Sequence, residues 1–225
     1  MLARMFPALI LGLAGVAVLM SLGFWQLSRL DEKLAQIAAI DARISDAPAS
    51  LPDDPVAERE RFSPVTIEGA YTGEVVHVLS AREGMGAGSR VIAAFEAADG
   101  RRILIDRGFL PEAARDGTDF TSGPVIVIGN LDWPRDTDRY TPTPDMARNL
   151  WFSREVAPIA AHLETEPVMI VARQDATVPN LVPTPIDSAD LRNDHLEYAI
   201  TWFLLAAAWA GMTAFLLWRI RQNKA

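Results

Sequence analysis

Two long apolar runs sit at the ends of the chain, from about Met5 to Leu27 and from about Tyr198 to Trp218, and neither contains a charged residue. Each approaches the roughly 20 residues that a helix needs to cross a hydrocarbon core of about 30 Å. The pattern predicts transmembrane helices over residues 7–28 and 193–218, with short tails at 1–6 and 219–225. Beyond the first run, Leu30, Leu34, Ile37, Ile40 or Ala38, and Ile44 recur at steps of three and four residues. That rhythm predicts an amphipathic helical stalk over 29–45, continuing the first span into water. The Pro-, Asp- and Ala-rich stretch Asp46–Pro55 ends it as a linker.

Residues 46–192 form the water-facing domain, and strand patterns dominate its first half. Pro64–Gly69 and Glu74–Leu79 alternate, and Val125–Ile128 reads as a further buried strand. Arg90–Glu96 and Arg101–Asp106 flank Asp99-Gly100, which predicts a β-hairpin, since Gly accepts the φ > 0 a tight turn requires. Leu150–Phe152 is a short strand, Ser153–His162 a short helix with Ser153 as N-cap, and Glu166–Arg173 the last strand. The fold class is therefore an α+β membrane protein: two transmembrane helices flank one mainly antiparallel β domain, a curled sheet or open barrel carrying a short helix. The glycine-rich Gly84–Gly88 joins two strands and reads as a hairpin loop rather than a phosphate cradle.

Charge orients this arrangement. All 29 acidic residues and 17 of the 21 basic ones fall between the two runs or at their inner ends, a net of −12. The outer ends carry only positive charge: Arg4 before the first run, and Arg219, Arg221 and Lys224 after the second. Lys and Arg near a span stay on the cytoplasmic side. Both termini are thus expected in the cytoplasm with the domain outside: in the periplasm if the membrane is a bacterial inner membrane, or in the topologically equivalent space of an organelle. Arg29 and Lys33 weaken that bias without reversing it. An acidic domain also argues against nucleic acid as a partner. Arg4, the apolar stretch and Ser21-Leu22-Gly23 have the layout of a cleavable signal, but the run continues through Phe24, Trp25 and Leu27, which favours a retained anchor.

The chain has no cysteine, so disulfides, Cys-x-x-Cys copper or thiol chemistry and Cys-x-x-Cys-His haem attachment are excluded. Its three histidines accompany no nucleophile triad, His-Glu-x-x-His or phosphate loop, and no enzymatic role is expected. His77 inside a strand and His162 at a helix end read as structural. His195 lies where the chain passes from water to membrane, and helical spacing puts it on one face with Tyr198, Ala199 and Trp202. Phe24-Trp25-Gln26-Leu27 reaches the same interface on the other helix. An imidazole there can bind iron, with aromatic rings to hold a flat macrocycle. An interfacial aromatic belt with a hydrated histidine produces the same pattern. Ala206, Ala210, Ala214 and Ala8-x-x-x-Gly12 form small faces suited to close helix approach, to each other or to a partner's helices.

Three segments resemble the SURF1 family, in order and across the whole chain. They are Gly23-Phe24-Trp25-Gln26-Leu27-Ser28-Arg29-Leu30-Asp31-Glu32-Lys33, Ile103–Pro111 with Arg107-Gly108, and Asn193-Asp194-His195-Leu196-Glu197-Tyr198-Ala199-Ile200-Thr201-Trp202. Asp106 stands where the family commonly has asparagine, and the acidic loop from Trp133 to Asp145 has no clear counterpart. The resemblance implies an assembly factor for haem-copper terminal oxidases, chiefly cytochrome c oxidase. It further implies help in inserting haem a into subunit I, with haem a synthase as a further contact. The family's proposed haem a ligand maps onto His195, which makes it the expected axial ligand of the haem iron, with Tyr198, Trp202 and Trp25 as pocket residues. Arg107-Gly108 is expected to be structural, the Gly in a turn after the strand and the Arg in a fixed contact. The alternative is a cofactor-free scaffold that stabilises an assembly intermediate of subunit I. A two-pass sensor is disfavoured because no cytoplasmic domain receives a signal.

Overall fold

A computed structural model describes residues 2–188 and 193–222; Lys224, among the expected topology signals, lies outside the described residues. The chain divides into two compact units, Met1–Ala39 with Ser188–Ala225, and Ile40–Asp187.

In the first unit, α1 (Leu2–Ile44) and α4 (His195–Gln222) are the two helices long and apolar enough to cross a membrane. Phe6, Leu13, Val18, Leu204 and Phe215 are exposed, as large apolar side chains are on helices that meet lipid rather than water. The helices run antiparallel, and their seam is built on absent side chains. A Cβ on Gly12 would come within 2.2 Å of Thr213, on Gly15 within 2.2 Å of Trp209, and on Gly23 within 2.4 Å of Phe203. Phe24 and Phe203 add an edge-to-face pair at 5.4 Å. Of the small residues noted in the sequence, Gly12 and Ala206 are buried, while Ala210 and Ala214 are exposed. Residues four apart drift around a helix, whereas the seam alternates steps of three and four, so Ala199 and Ala206, seven apart, are the buried α4 alanines.

The second unit starts within the last turn of α1 and contains β1 (Ala49–Ser50), α2 (Ala57–Glu60), β2 (Pro64–Arg82), β3 (Gly86–Ala97), β4 (Arg102–Pro111), β5 (Val125–Leu131), β6 (Leu150–Trp151), α3 (Val156–His162) and β7 (Met169–Ala172). A single 3-10 turn, Glu112–Ala114, follows β4. Strands pair in the order β1-β2-β3-β4-β7-β5, and β5 pairs again with β2, so five strands close a hydrogen-bonded circuit. The expected curled sheet is thus a closed barrel. β3 and β5 pair antiparallel with β2, and β4 with β3, while β7 enters parallel to β4 and antiparallel to β5. The two sequence patterns at 64–69 and 74–79 are one 19-residue strand, irregular between Tyr71 and Val75. Gly73, at φ +91, lies at that irregularity.

Alternation along the strands separates two cores. Val65, Ile67, Tyr71, Phe95, Ile103, Ile105, Val127 and Ile170 fill the barrel. Val76, Val78, Ile92, Leu104, Met169 and Val171 point outward, beneath Trp151, Val156 and Ile159. The Asp99-Gly100 turn forms as expected, with Gly100 at φ +87. Two boundaries differ from the sequence patterns. α3 starts at Val156 with Glu155, not Ser153, in the cap position, and the Ser153 hydroxyl instead meets Thr137 at 3.0 Å. Starting there puts Pro158 in the first turn, where no backbone N–H is required. β7 begins at Met169 because Pro167 cannot donate to a ladder, and Glu166 is held by Arg101.

Candidate functional site

His195 is the first residue of α4, and its Nδ1 lies 2.8 Å from Oε1 of Gln26 on α1. Gln26 is 8% exposed, a polar side chain in a seam of otherwise small and apolar residues. Gly23, one turn earlier on α1, and the buried Ala199, one turn later on α4, let the helices approach closely enough for this bond. The hydrogen bond engages one ring nitrogen and leaves Nε2 as the nitrogen available to a further partner. Asn193 Oδ1, two residues before the histidine, is buried and meets no hydrogen-bond partner among the described residues. The site therefore pairs an oriented imidazole with an unmet demand for a donor.

The other expected residues surround this pair less tightly. Trp202 is half-buried, whereas Tyr198 and Trp25 are 54% and 50% exposed. The Arg29 guanidinium lies 5.9 Å from the Trp25 ring centroid. Among the described residues no ring-to-ring contact joins Trp25, Tyr198 or Trp202. Sequence patterns alone do not single out Gln26 as a partner of His195. The signal of Gln26 is that it is the one amide within the first apolar run.

The central motif is structural, in a different manner from the expected turn. Asp106-Arg107-Gly108 lies within β4, not after it, at a register shift where Asp106 faces Ile92 and Gly108 faces Val91, leaving Arg107 as the extra residue. Gly108 has φ +115, and a Cβ there would sit 2.3 Å from the Val182 carbonyl oxygen. Asp106, fully buried, pairs with Arg90 at 2.7 Å and accepts the Gly108 N–H at 3.1 Å. Arg107 donates to Asp175 and to the Phe120 carbonyl at 2.6 and 2.9 Å, and to the Thr177 hydroxyl. Its guanidinium stacks 3.8 Å from the Tyr71 centroid. Burial pushes the Asp175 carboxyl up, but the hydrogen bonds from Arg107 and Thr177 outweigh it and hold it below the usual carboxylate range. Burial, with Asp175 adding to it, pushes the Tyr71 hydroxyl up.

His77 and His162 belong to the barrel unit. His77 is 4% exposed, with Nδ1 2.9 Å from Ser89 Oγ and its ring edge-on to Phe120. His162, at the end of α3, lies 5.5 Å from Trp151. Among the described residues no three His, Cys, Asp or Glu side chains gather to hold a metal ion.

The description "SURF1 family" matches this chain over residues 13–207, which takes in both helices and the barrel. Surfeit locus protein 1 of Xenopus tropicalis is 31% identical over 84% of this chain and 68% of its own length. The Homo sapiens protein of the same name is 31% identical over 83% and 70%. The SURF1-like protein of Rickettsia felis is 30% identical over 84% and 87%. With two apolar helices flanking a closed barrel and relatives aligned across most of both lengths, the chain belongs to the SURF1 family.

Proposed function

We propose that this protein is an assembly factor for haem-copper terminal oxidases, and that it presents His195 as an axial ligand for haem a on its way into subunit I. Membership of the SURF1 family supports the assembly role. The observation that carries the haem reading is the His195–Gln26 hydrogen bond, which orients the imidazole and commits Nδ1. Tyr198, Trp202 and Trp25 are the apolar surfaces on which the macrocycle rests, and the exposure of Tyr198 and Trp25 leaves those two accessible to a ligand arriving through lipid.

Topology fits this role. Both termini are assigned to the cytoplasm and the barrel to the periplasm of a bacterial inner membrane, from the positive flanks and the −12 between the spans. His195 then lies at the periplasmic boundary, where an apolar cofactor passes between helices without crossing water. The protein acts by holding and handing on, not by turnover. Haem a synthase upstream and subunit I downstream are its contacts.

The test is purification in mild detergent from cells that make haem a, with reduced-minus-oxidised spectra of the wild type and His195→Ala. A haem a signal in the wild type that His195→Ala loses or shifts is the expected result. Colourless protein in both preparations, still capturing subunit I, would replace this reading with a cofactor-free scaffold.

A further inference from the structure

The Gln26 side chain has a role beyond packing. A buried amide in a membrane helix is costly unless it is satisfied, a cost that an apolar residue does not carry. Gln26 is 8% exposed, and its carbonyl oxygen is 2.8 Å from His195 Nδ1, across 169 positions of sequence. A neutral imidazole carries one proton, and the hydrogen bond made by one nitrogen decides where that proton sits. We infer that Gln26 is the positioning residue for His195: its carbonyl accepts the Nδ1–H and leaves the lone pair on Nε2.

This deepens the reading of His195 as an iron ligand and rests on it for its purpose, though not for its chemistry. A carboxylate in the same place would raise the basicity of the ligating nitrogen, as carboxylate–histidine pairs do at metal sites. A carboxamide orients the ring without adding charge. The resulting ligand is fixed in direction yet moderate in strength, as suits a cofactor that must leave again.

The test uses the full chain in detergent, without haem, labelled with 15N-histidine. Two-bond proton–nitrogen correlation at alkaline pH reports each ring's tautomer, and the three histidines are assigned by single substitution to Ala. Wild-type His195 is expected in the Nδ1–H form. In Gln26→Met the tautomer ratio should move toward Nε2–H by about fivefold, the equivalent of roughly 1 kcal/mol for one hydrogen bond. Finding wild-type His195 in the Nε2–H form, with the Gln26 amide donating instead, would overturn the inference, and that spectrum requires no variant. An unchanged ratio in Gln26→Met, with helicity intact by circular dichroism, would overturn it as well. Titrating the same wild-type sample with haem keeps the two readings apart. The expected tautomer in a protein that leaves the haem spectrum unaltered supports the role of Gln26 and removes the haem role of His195.

Discussion

Arg107 and Asp175 form an ion pair from which water is excluded on both sides: Nε and Oδ2 are 2.6 Å apart, and the side chains are 0% and 1% exposed. Removing one partner of such a pair strands the other charge in a low dielectric, at a cost of roughly 3–5 kcal/mol. Asp175→Ala and Arg107→Met are each expected to destabilise the barrel by that order. The double variant should cost far less than the two together, because no orphan charge remains. Denaturant unfolding of all four proteins, followed by the fluorescence of Trp133 and Trp151, measures the coupling. Strict additivity would show that the pair does not act as a unit.

The buried His77 makes stability depend on pH. Burial pushes its imidazole down to about 4, and the positive charge of Arg115 acts in the same direction. The unfolded chain has an ordinary value near 6.5, so between about pH 6.5 and 4 it binds a proton that the folded state refuses. Stability from this group is complete above about pH 6.5 and falls as the pH is lowered toward 4, by roughly 3 kcal/mol in all. Asp175, with its pKa depressed, contributes stability that is lost only at lower pH, as the carboxylate protonates. Melting temperature against pH, for the wild type and His77→Gln, should show the decline in that window only for the wild type.

The seam between the membrane helices distinguishes glycines that look alike in sequence. A side chain on Gly23 meets the Phe203 ring, whereas one on Gly211 meets nothing within 4 Å. Gly23→Val should separate the helices at the level of Gln26 and His195, and Gly211→Val should not. The chain has no cysteine of its own, so engineered cysteine pairs across the seam report the spacing without background. Equal crosslinking in both variants would contradict this packing.

The end of α1 is held by side chains of the barrel unit. Asn130 donates to the carbonyls of Ile44 and Phe62 at 3.0 and 2.8 Å, and Arg173 donates to Ile44 at 2.6 Å and to Asn130 Oδ1 at 2.9 Å. Asn130→Ala is expected to cost about 1 kcal/mol, since it takes a donor from two part-buried carbonyls. Hydrogen exchange should accelerate in the last turn of α1 while β3 stays protected.

Local signals in the sequence carried much of this fold. The apolar runs, the Asp99-Gly100 hairpin and the period-2 strands are visible because each depends on neighbours a few residues away. Closure of the barrel was not, because it joins Pro64–Gly69 to residues some 60 positions later, and no local pattern encodes that pairing. Arg107-Gly108 looked like the end of a strand because a glycine interrupts an apolar run; only the register with β3 shows it to be inside one. At the interhelical site, the sequence shows His195 at the start of an apolar run but not that Gln26 faces it. A glutamine beside three aromatic or apolar residues gives no hint of facing a histidine 169 positions away until the helices are paired.

The order in which the barrel is made follows from where β7 sits. It lies between β4 and β5, yet it is the last strand to leave the ribosome, so a gap stays open in the wall until Ala172 has been synthesised. Every pairing that closes the gap is long-range, and such contacts form slowly because the loop must close before they stabilise anything. Only the stretch from Arg173 to Asp194 separates β7 from α4, so completion of the barrel and arrival of the second helix fall close together in time. Biogenesis of this protein is therefore a race between closing a wall of strands and pairing two helices. Conditions that delay β7 are expected to leave a half-made wall exposed while the second helix is already seeking its seam.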